Sequence, residues 1–372
     1  MIRKLAAMAL ARTVRKAAAE LLAAAQLGVG VSSACEHILH EVEAPLSLHP
    51  EHAGAQLDFR NAFNLVSPGA AKAVLTRALP VVGTYLEKVY GGDGAPSVSG
   101  WAGDPDDTDA PSPTGDGHHD GADRPPAPPP WRLMLPAERG AQDGGPLGPL
   151  LHADELWLLP RRLRAAHLGV LVQSFHADIV AVGAPADLGR VMGAAGTAGA
   201  LNDAELAPAK CVGWSPSGAP APAGWSGECA AEGVVQLYAS LGGPAFVEVA
   251  IDRLTADQRR LSGAIADLPV GDLQSQLLVL RLCAGPRTNY WLPVLPLAAA
   301  ARLAAAVDKD AKVVLTGLVR HACDSPAVVQ AGLECAAWPL GAGGWGMGGR
   351  TSVAPADRLA SSVDALRAGA AY

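Results

Sequence analysis

Apolar positions along this 372-residue chain change their period several times, and each change predicts an element. Leu5 to Leu22 is rich in Ala and free of Gly and Pro, which predicts a helix. Gly28-Val29-Gly30 breaks it, and a second helix is expected from about Ser33 to Val42. Ala53 to Phe59 is a short apolar run with Asp58 near its end, the pattern of a buried strand. Ser67-Pro68 opens another helix, with Pro at a first-turn position. Pro146 to Ala166 reads as helical. Leu168 to Phe175 and Ile179 to Val182 read as two strands joined by a turn at His176 to Asp178. A helix is expected from about Ala186 to Ala194. Then come Cys211-Val-Gly-Trp214, a Ser/Gly/Pro loop to Gly227 with a disordered composition, and an apolar hairpin from Gly233 to Val249. From Thr255 to Val319 the pattern is almost wholly helical. Mixed elements followed by a helical run predict an α+β chain with two subdomains.

Composition changes this picture in one place. Apolar residues make up 49% of the chain and charged residues 17%, the balance of a globular protein. Between Gly92 and Pro130, however, stand nine prolines, eight aspartates and one arginine, with almost no aliphatic side chains. Such a segment cannot bury enough surface to offset its own ordering, so an acidic insertion is expected there, His118-His119-Asp120 included. The net charge of −7 argues against a nucleic-acid partner, but this insertion alone carries −7 and leaves the rest neutral. Six scattered cysteines without a Cys-x-x-Cys pair suit reduced thiols in an intracellular compartment, nucleus or cytoplasm. Met1 to Ala19 holds five basic residues and no acid, the profile of an ordinary helix or of an organellar transit peptide. No run of 18 apolar residues exists, so no membrane span is expected. His37, His40 and Glu41 share a helix face at a spacing that could hold a metal, though a solvated face is the simpler reading. A Gly-x-Ser-x-Gly elbow and a phosphate-binding Gly-x-x-x-x-Gly-Lys-Ser/Thr loop are both absent. Gly341 to Gly349 lacks the strand–helix context of a dinucleotide site and reads as a plain loop.

Four stretches stand in a telling order: Gln26-Leu-Gly-Val-Gly-Val31, Gln56-Leu-Asp-Phe-Arg-Asn-Ala-Phe-Asn64, Arg139 to Leu151 with its Asp143-Gly-Gly-Pro146, and Phe175-His-Ala-Asp178 reaching Gly183. Leu206 to Pro216 with Lys210, Leu237 to Gly242, and Leu280 to Trp291 continue the series. Together they resemble the successive blocks of reverse transcriptases of non-LTR retroelements. The resemblance implies a right-hand polymerase palm, an antiparallel sheet with helices behind it, plus partial fingers and a helical thumb. It puts the fingers at 1–52, the palm at 53–250 interrupted at 92–130, the thumb at 251–330 and a C-terminal extension at 331–372. Extending a primer needs paired divalent cations held by hard carboxylate oxygens. By resemblance, Asp58 and Asp178 are the metal ligands, Mg²⁺ or Mn²⁺ the cofactor, and an RNA template with a DNA primer the partners. The Phe59 carbonyl, Phe63 under the sugar and Gly144 in the nucleotide-facing turn would contact the nucleotide. Lys210 would neutralise or protonate the leaving pyrophosphate.

The chain departs from that template at the hairpin, where the family reads aromatic, any residue, Asp, Asp. Counted without a gap, Phe175 is the aromatic, Ala177 replaces the essential Asp, and Asp178 is the second Asp. With a one-residue deletion, His176 replaces the aromatic and Asp178 becomes the essential ligand. The gapless register suits a tight hairpin better. Adjacent residues point different ways, so Asp178 is not expected to stand in for Ala177, and at least one cation site should empty. Three readings remain open: an impaired or inactive relative of these polymerases, an active RNA-directed DNA polymerase, and a non-enzymatic helical interaction protein.

Overall fold

The computed structural model describes residues 2–22, 26–60, 75–90, 146–156, 158–200, 204–219, 221–269 and 273–370. The expected insertion at 92–130 and the helix at Ser67-Pro68 lie outside the described residues. The chain divides into two compact units, residues 1–14 with 63–155 and residues 15–62 with 156–372. The first holds the opening turns of α1 (Ile2–Leu22), α3 (Pro80–Tyr90) and most of α4 (Gly148–Leu156). Val82 and Leu86 of α3 are buried four residues apart, on one helix face, with Leu79 buried just before its first turn.

The second unit carries both sheets. Its elements begin with α2 (Ala34–Leu48) and β1 (Ala53–Leu57), and resume with α5 (Leu158–Ala166), β2 (Leu171–Phe175), β3 (Asp178–Gly183) and α6 (Pro185–Ala200). β4 (Val212–Trp214) and β5 (Glu228–Ala230) complete a five-stranded sheet ordered β2-β3-β1-β4-β5. The first four strands are antiparallel to their neighbours, and β5 adds parallel to β4. A strand, a helix, a hairpin, a helix and a strand, in spatial order 2-3-1-4, form a split βαββαβ arrangement.

Strand alternation gives this sheet two faces. Ala53, Ala55 and Leu57 of β1 join Val172, Ile179 and Ala181 on one of them, beneath Leu159 and Leu163 of α5 and Leu188, Val191 and Met192 of α6. Val180 and Val182 turn the other way, against Ile38, Val42 and Leu46 of α2. Each fully buried Leu or Ile contributes about 1.5–3 kcal/mol relative to exposure. The stripe Ile38, Val42, Leu46 also explains why α2 runs to Leu48, six residues past the expected end and through Pro45.

Several expectations need correction. The face bearing His37, His40 and Glu41 is not solvated. Both histidines are 8% exposed. His40 Nε2 lies 2.9 Å from Ser361 Oγ, and Glu41 accepts a hydrogen bond from Gln173. The charges that suggested solvent instead find partners on packed neighbours. The loop after β4 is likewise held: Trp225 packs on the core, its indole N–H donates to the Glu228 carbonyl at 3.2 Å, and its ring lies so close over Gly213 that a Cβ there would be only 3.3 Å away. The hairpin expected to reach Val249 ends early. β6 (Gly233–Gln236) and β7 (Ala239–Gly242) form it, and Pro244, preset for a first helical turn, opens α7 (Pro244–Ala266).

The remaining helices are α8 (Leu273–Val279), α9 (Trp291–Val294), α10 (Leu297–Ala322), α11 (Pro326–Ala337) and α12 (Arg350–Ala370). α12 packs back on α2, with Arg358 paired to Glu43 at 2.5 Å and donating to the Pro293 and Val294 carbonyls. Among the described residues no helix is long and apolar enough to cross a membrane. All six cysteines are free thiols.

The β6–β7 turn consists of Leu237 and Tyr238, with φ of 46° and 67°. Two successive left-handed residues make the hairpin turn that normally selects Asn-Gly, so this one is strained. The Tyr290 hydroxyl donates to the Leu237 carbonyl, and the Trp291 indole N–H donates to Tyr238 O at 3.4 Å. Tyr238 itself is 86% exposed. Tyr238→Gly should therefore raise stability by about 1 kcal/mol in urea denaturation. A loss of stability would show that the ring, not the backbone, matters there.

Burial pushes the His37 imidazole below its ordinary pKa, and His40 adds to this while Glu36 and Asp364 oppose it. A histidine held neutral in the fold contributes stability above its ordinary pKa, and that stability is lost as pH falls below it. The thermal midpoint should drop between about pH 7 and pH 5, and His37→Gln should flatten that slope. An unchanged slope in the variant would exclude His37 as its source.

Candidate catalytic centre

Asp58 directly follows β1, and Asp178 opens β3. The β1–β3 register pairs Leu57 with Ile179 and Gln56 with Val180. One residue further along, it sets Asp58 opposite Asp178. Directly opposed residues share a face, with Cβ atoms about 5 Å apart. Both carboxylates therefore stand with Gln56, on the side of the sheet away from α5 and α6.

Asp178 behaves as that geometry requires. Its carboxyl is pushed above the usual range, first by burial and then by the neighbouring Asp58 carboxylate, while a hydrogen bond from Gln56 opposes the shift. The turn decides which residue of the pair faces Asp58. The hairpin turn is His176-Ala177, with Phe175 facing Asp178 across it, so Asp178 is the residue aimed at Asp58 while Ala177 occupies the turn.

Lys210 reaches the same place along a different route. The segment before β4 runs beside the residues after β1: Ala207 N–H donates to Asp58 O at 2.8 Å, and Arg60 N–H donates to Glu205 O at 2.8 Å. These two bonds flank Phe59, opposite Leu206, and neither uses the Phe59 carbonyl. The Phe59 ring is buried against the backbone of Gly199, where a Cβ would collide with it. The turn Pro208–Lys210 then carries Nζ of Lys210 to 3.5 Å from Asp58 Oδ1. Lys210 is 64% exposed, so this pair adds little to stability and acts mainly on local charge. Asp58 Oδ1 is buried and accepts no hydrogen bond among the described residues.

The structure thus brings Asp58, Asp178, Lys210 and Phe59 together. Phe63 and Gly144 lie outside the described residues. Cavities of about 770 and 730 Å³ lie elsewhere, one beside Arg164 and Gln173 and the other beside Trp214 and Phe246.

No protein-family model and no curated protein sequence matches this chain. Among solved structures, a telomerase from Candida albicans in complex with a fragment of telomeric RNA is similar, at 10% identity and a TM-score of 0.36. The match covers 84% of this chain and 51% of that one, so the present chain spans about half its length. Identity this low leaves the chemistry to be read from the side chains themselves.

One residue of the centre was not singled out for a role in the sequence. Gln26 is 1% exposed and clamps the hairpin turn. Its Nε2 donates to His176 O at 3.0 Å, and its Oε1 accepts from His176 N at 2.8 Å and Gly28 N at 3.0 Å. The backbone extends the contact, since Leu27 N donates to Ser174 O at 2.9 Å. His176 has a φ of 55°, so the clamp holds a residue in a disfavoured conformation. The only sequence signal was the position of Gln26 at the head of a Gly-rich block. Gln26→Ala strands three backbone groups and should cost about 1–3 kcal/mol, with faster amide exchange at His176. A cost below about 0.5 kcal/mol, within the range of an ordinary surface substitution, would count against the clamp.

Proposed function

We propose that this chain is a palm of the reverse-transcriptase type, related to the non-LTR retroelement enzymes, whose nucleotidyl transfer is impaired or lost. The observation that carries the reading is the β1–β3 register, which sets Asp58 opposite Asp178 at the open end of a split βαββαβ sheet. Lys210 beside Asp58, and the turn holding Ala177 where the family has an aspartate, support it further.

The donor set fits one divalent cation better than two. Asp58 and Asp178 supply two carboxylates, and the Lys210 ammonium cancels one of their charges. Asp178 also holds its proton more tightly than an ordinary carboxylate. Two Mg²⁺ ions bring four positive charges into a site with a single net negative one. Asp58 and Asp178 would hold the ion, Mg²⁺ or Mn²⁺, with the Phe59 carbonyl as a further oxygen. Such an ion supplies Lewis-acid activation of a hydroxyl and neutralises phosphate charge. Lys210 would compete with it for Asp58, and in a complex with nucleotide would turn toward the phosphates. Phe63 and Gly144 keep the nucleotide-facing roles that the resemblance implies.

Primer extension on poly(rA)/oligo(dT) with Mg²⁺ or Mn²⁺ tests this directly. Expected is no template-dependent synthesis, together with primer–template binding whose log–log salt slope is about −0.9 for each phosphate contact. Asp178→Ala should weaken Mn²⁺ binding by roughly an order of magnitude, since affinity follows carboxylate count. Synthesis that Asp58→Ala abolishes would instead identify an active polymerase. Absence of salt-dependent binding would favour a helical interaction protein.

A further inference from the structure

A second ligand cluster sits away from these carboxylates, where α2 ends and β1 begins. His49 caps α2, its backbone N–H donating to Pro45 O at 2.8 Å. His52 N–H then donates to His49 O at 2.9 Å, which folds the chain back on itself. The turn stacks the two imidazoles, with ring centroids 4.8 Å apart and planes inclined by 25°. Glu51 joins them, with Oε1 3.2 Å from His49 Nδ1. One ligand atom from each of the three residues lies within 4.8 Å of the others.

Three further features favour a cation there. The carbonyl end of α2 is the negative end of its dipole. His52 Nδ1 is buried and has no hydrogen-bond partner among the described residues. His49 and Glu51 remain open to solvent, at 54% and 69% side-chain exposure, so an ion can reach them. Neither residue belongs to the sheet core, and the His52 carbonyl accepts from Ser215 Oγ at 3.2 Å.

We infer that His49, Glu51 and His52 form a transition-metal site, selective for Zn²⁺ and its imidazole-binding neighbours over Mg²⁺. Two imidazoles and one carboxylate are the donor set of borderline cations, whereas Mg²⁺ takes oxygen ligands. Bonds of about 2.0–2.2 Å separate tetrahedral ligand atoms by roughly 3.4 Å, so side-chain rotation must close the widest gap by up to about 1.4 Å. Water completes the coordination. Because His52 precedes the first residue of β1 and its carbonyl is tied to the loop after β4, the ion would fasten α2 to the sheet. The site stands independently of the palm reading.

Zn²⁺ titrated calorimetrically into the full, reduced chain tests it, with Co²⁺ followed by absorption. Expected is one tight Zn²⁺ per chain that excess Mg²⁺ does not displace. His49→Ala and His52→Ala should each weaken it more than about tenfold. Zinc should raise the melting temperature of the natural chain and leave that of the double variant unmoved. Circular dichroism should show both variants folded without metal. Zinc binding unchanged in the double variant would overturn the assignment. So would a thiolate-to-cobalt charge-transfer band, which would place the ion on the free cysteines, or no zinc binding at millimolar concentration.

Discussion

Two carboxylates facing each other across neighbouring strands repel, and that repulsion adds to burial in raising the pKa of Asp178. Asp58 and Asp178 share a sheet face because the β1–β3 register leaves them no other. Gln56 donates to one and Lys210 sits beside the other. The Asp58 carbonyl is tied to Ala207, so the strand end that carries the charge cannot swing away. A folded chain keeps such an arrangement at a cost to stability, and functional centres are where that cost is usually found.

Rigidity comes from the sheet being buried on both sides. α5 and α6 cover one face and α2 the other, so the register of β1 cannot slip without moving Ala53, Ala55 and Leu57 out of the core. The hairpin that carries Asp178 is pinned by the buried Gln26 amide. A second strained turn, at Leu237 and Tyr238, is held by Tyr290 and Trp291. In both, a side chain from a distant segment stabilises a backbone conformation that its own residues disfavour.

Much of this was legible before any coordinates. The helix at Leu5 to Leu22, a strand within 53–59 and the hairpin near 171–183 follow from apolar period and turn residues. So does the helical run after the sheets. Less legible were partners distant in sequence. The α2 face of His37, His40 and Glu41 looks solvated because charge is visible in a sequence and a hydrogen-bonding Ser361 or Gln173 is not. The loop before Gly227 looks disordered because one half-buried Trp225 packs it on the core and composition averages that residue away.

By itself the sequence determined which segments are helical or extended, though not all their ends, together with the order of the acidic and lysine-bearing blocks and the alanine at position 177, because these depend on local period and residue identity. Only the tertiary structure decided that Asp178 faces Asp58, that Lys210 arrives beside them, and that His49, Glu51 and His52 converge. Strand register, chain crossings and ring stacking arise from contacts that a linear pattern does not encode. Whether a carboxylate repels or is relieved depends on the few ångströms that those contacts set.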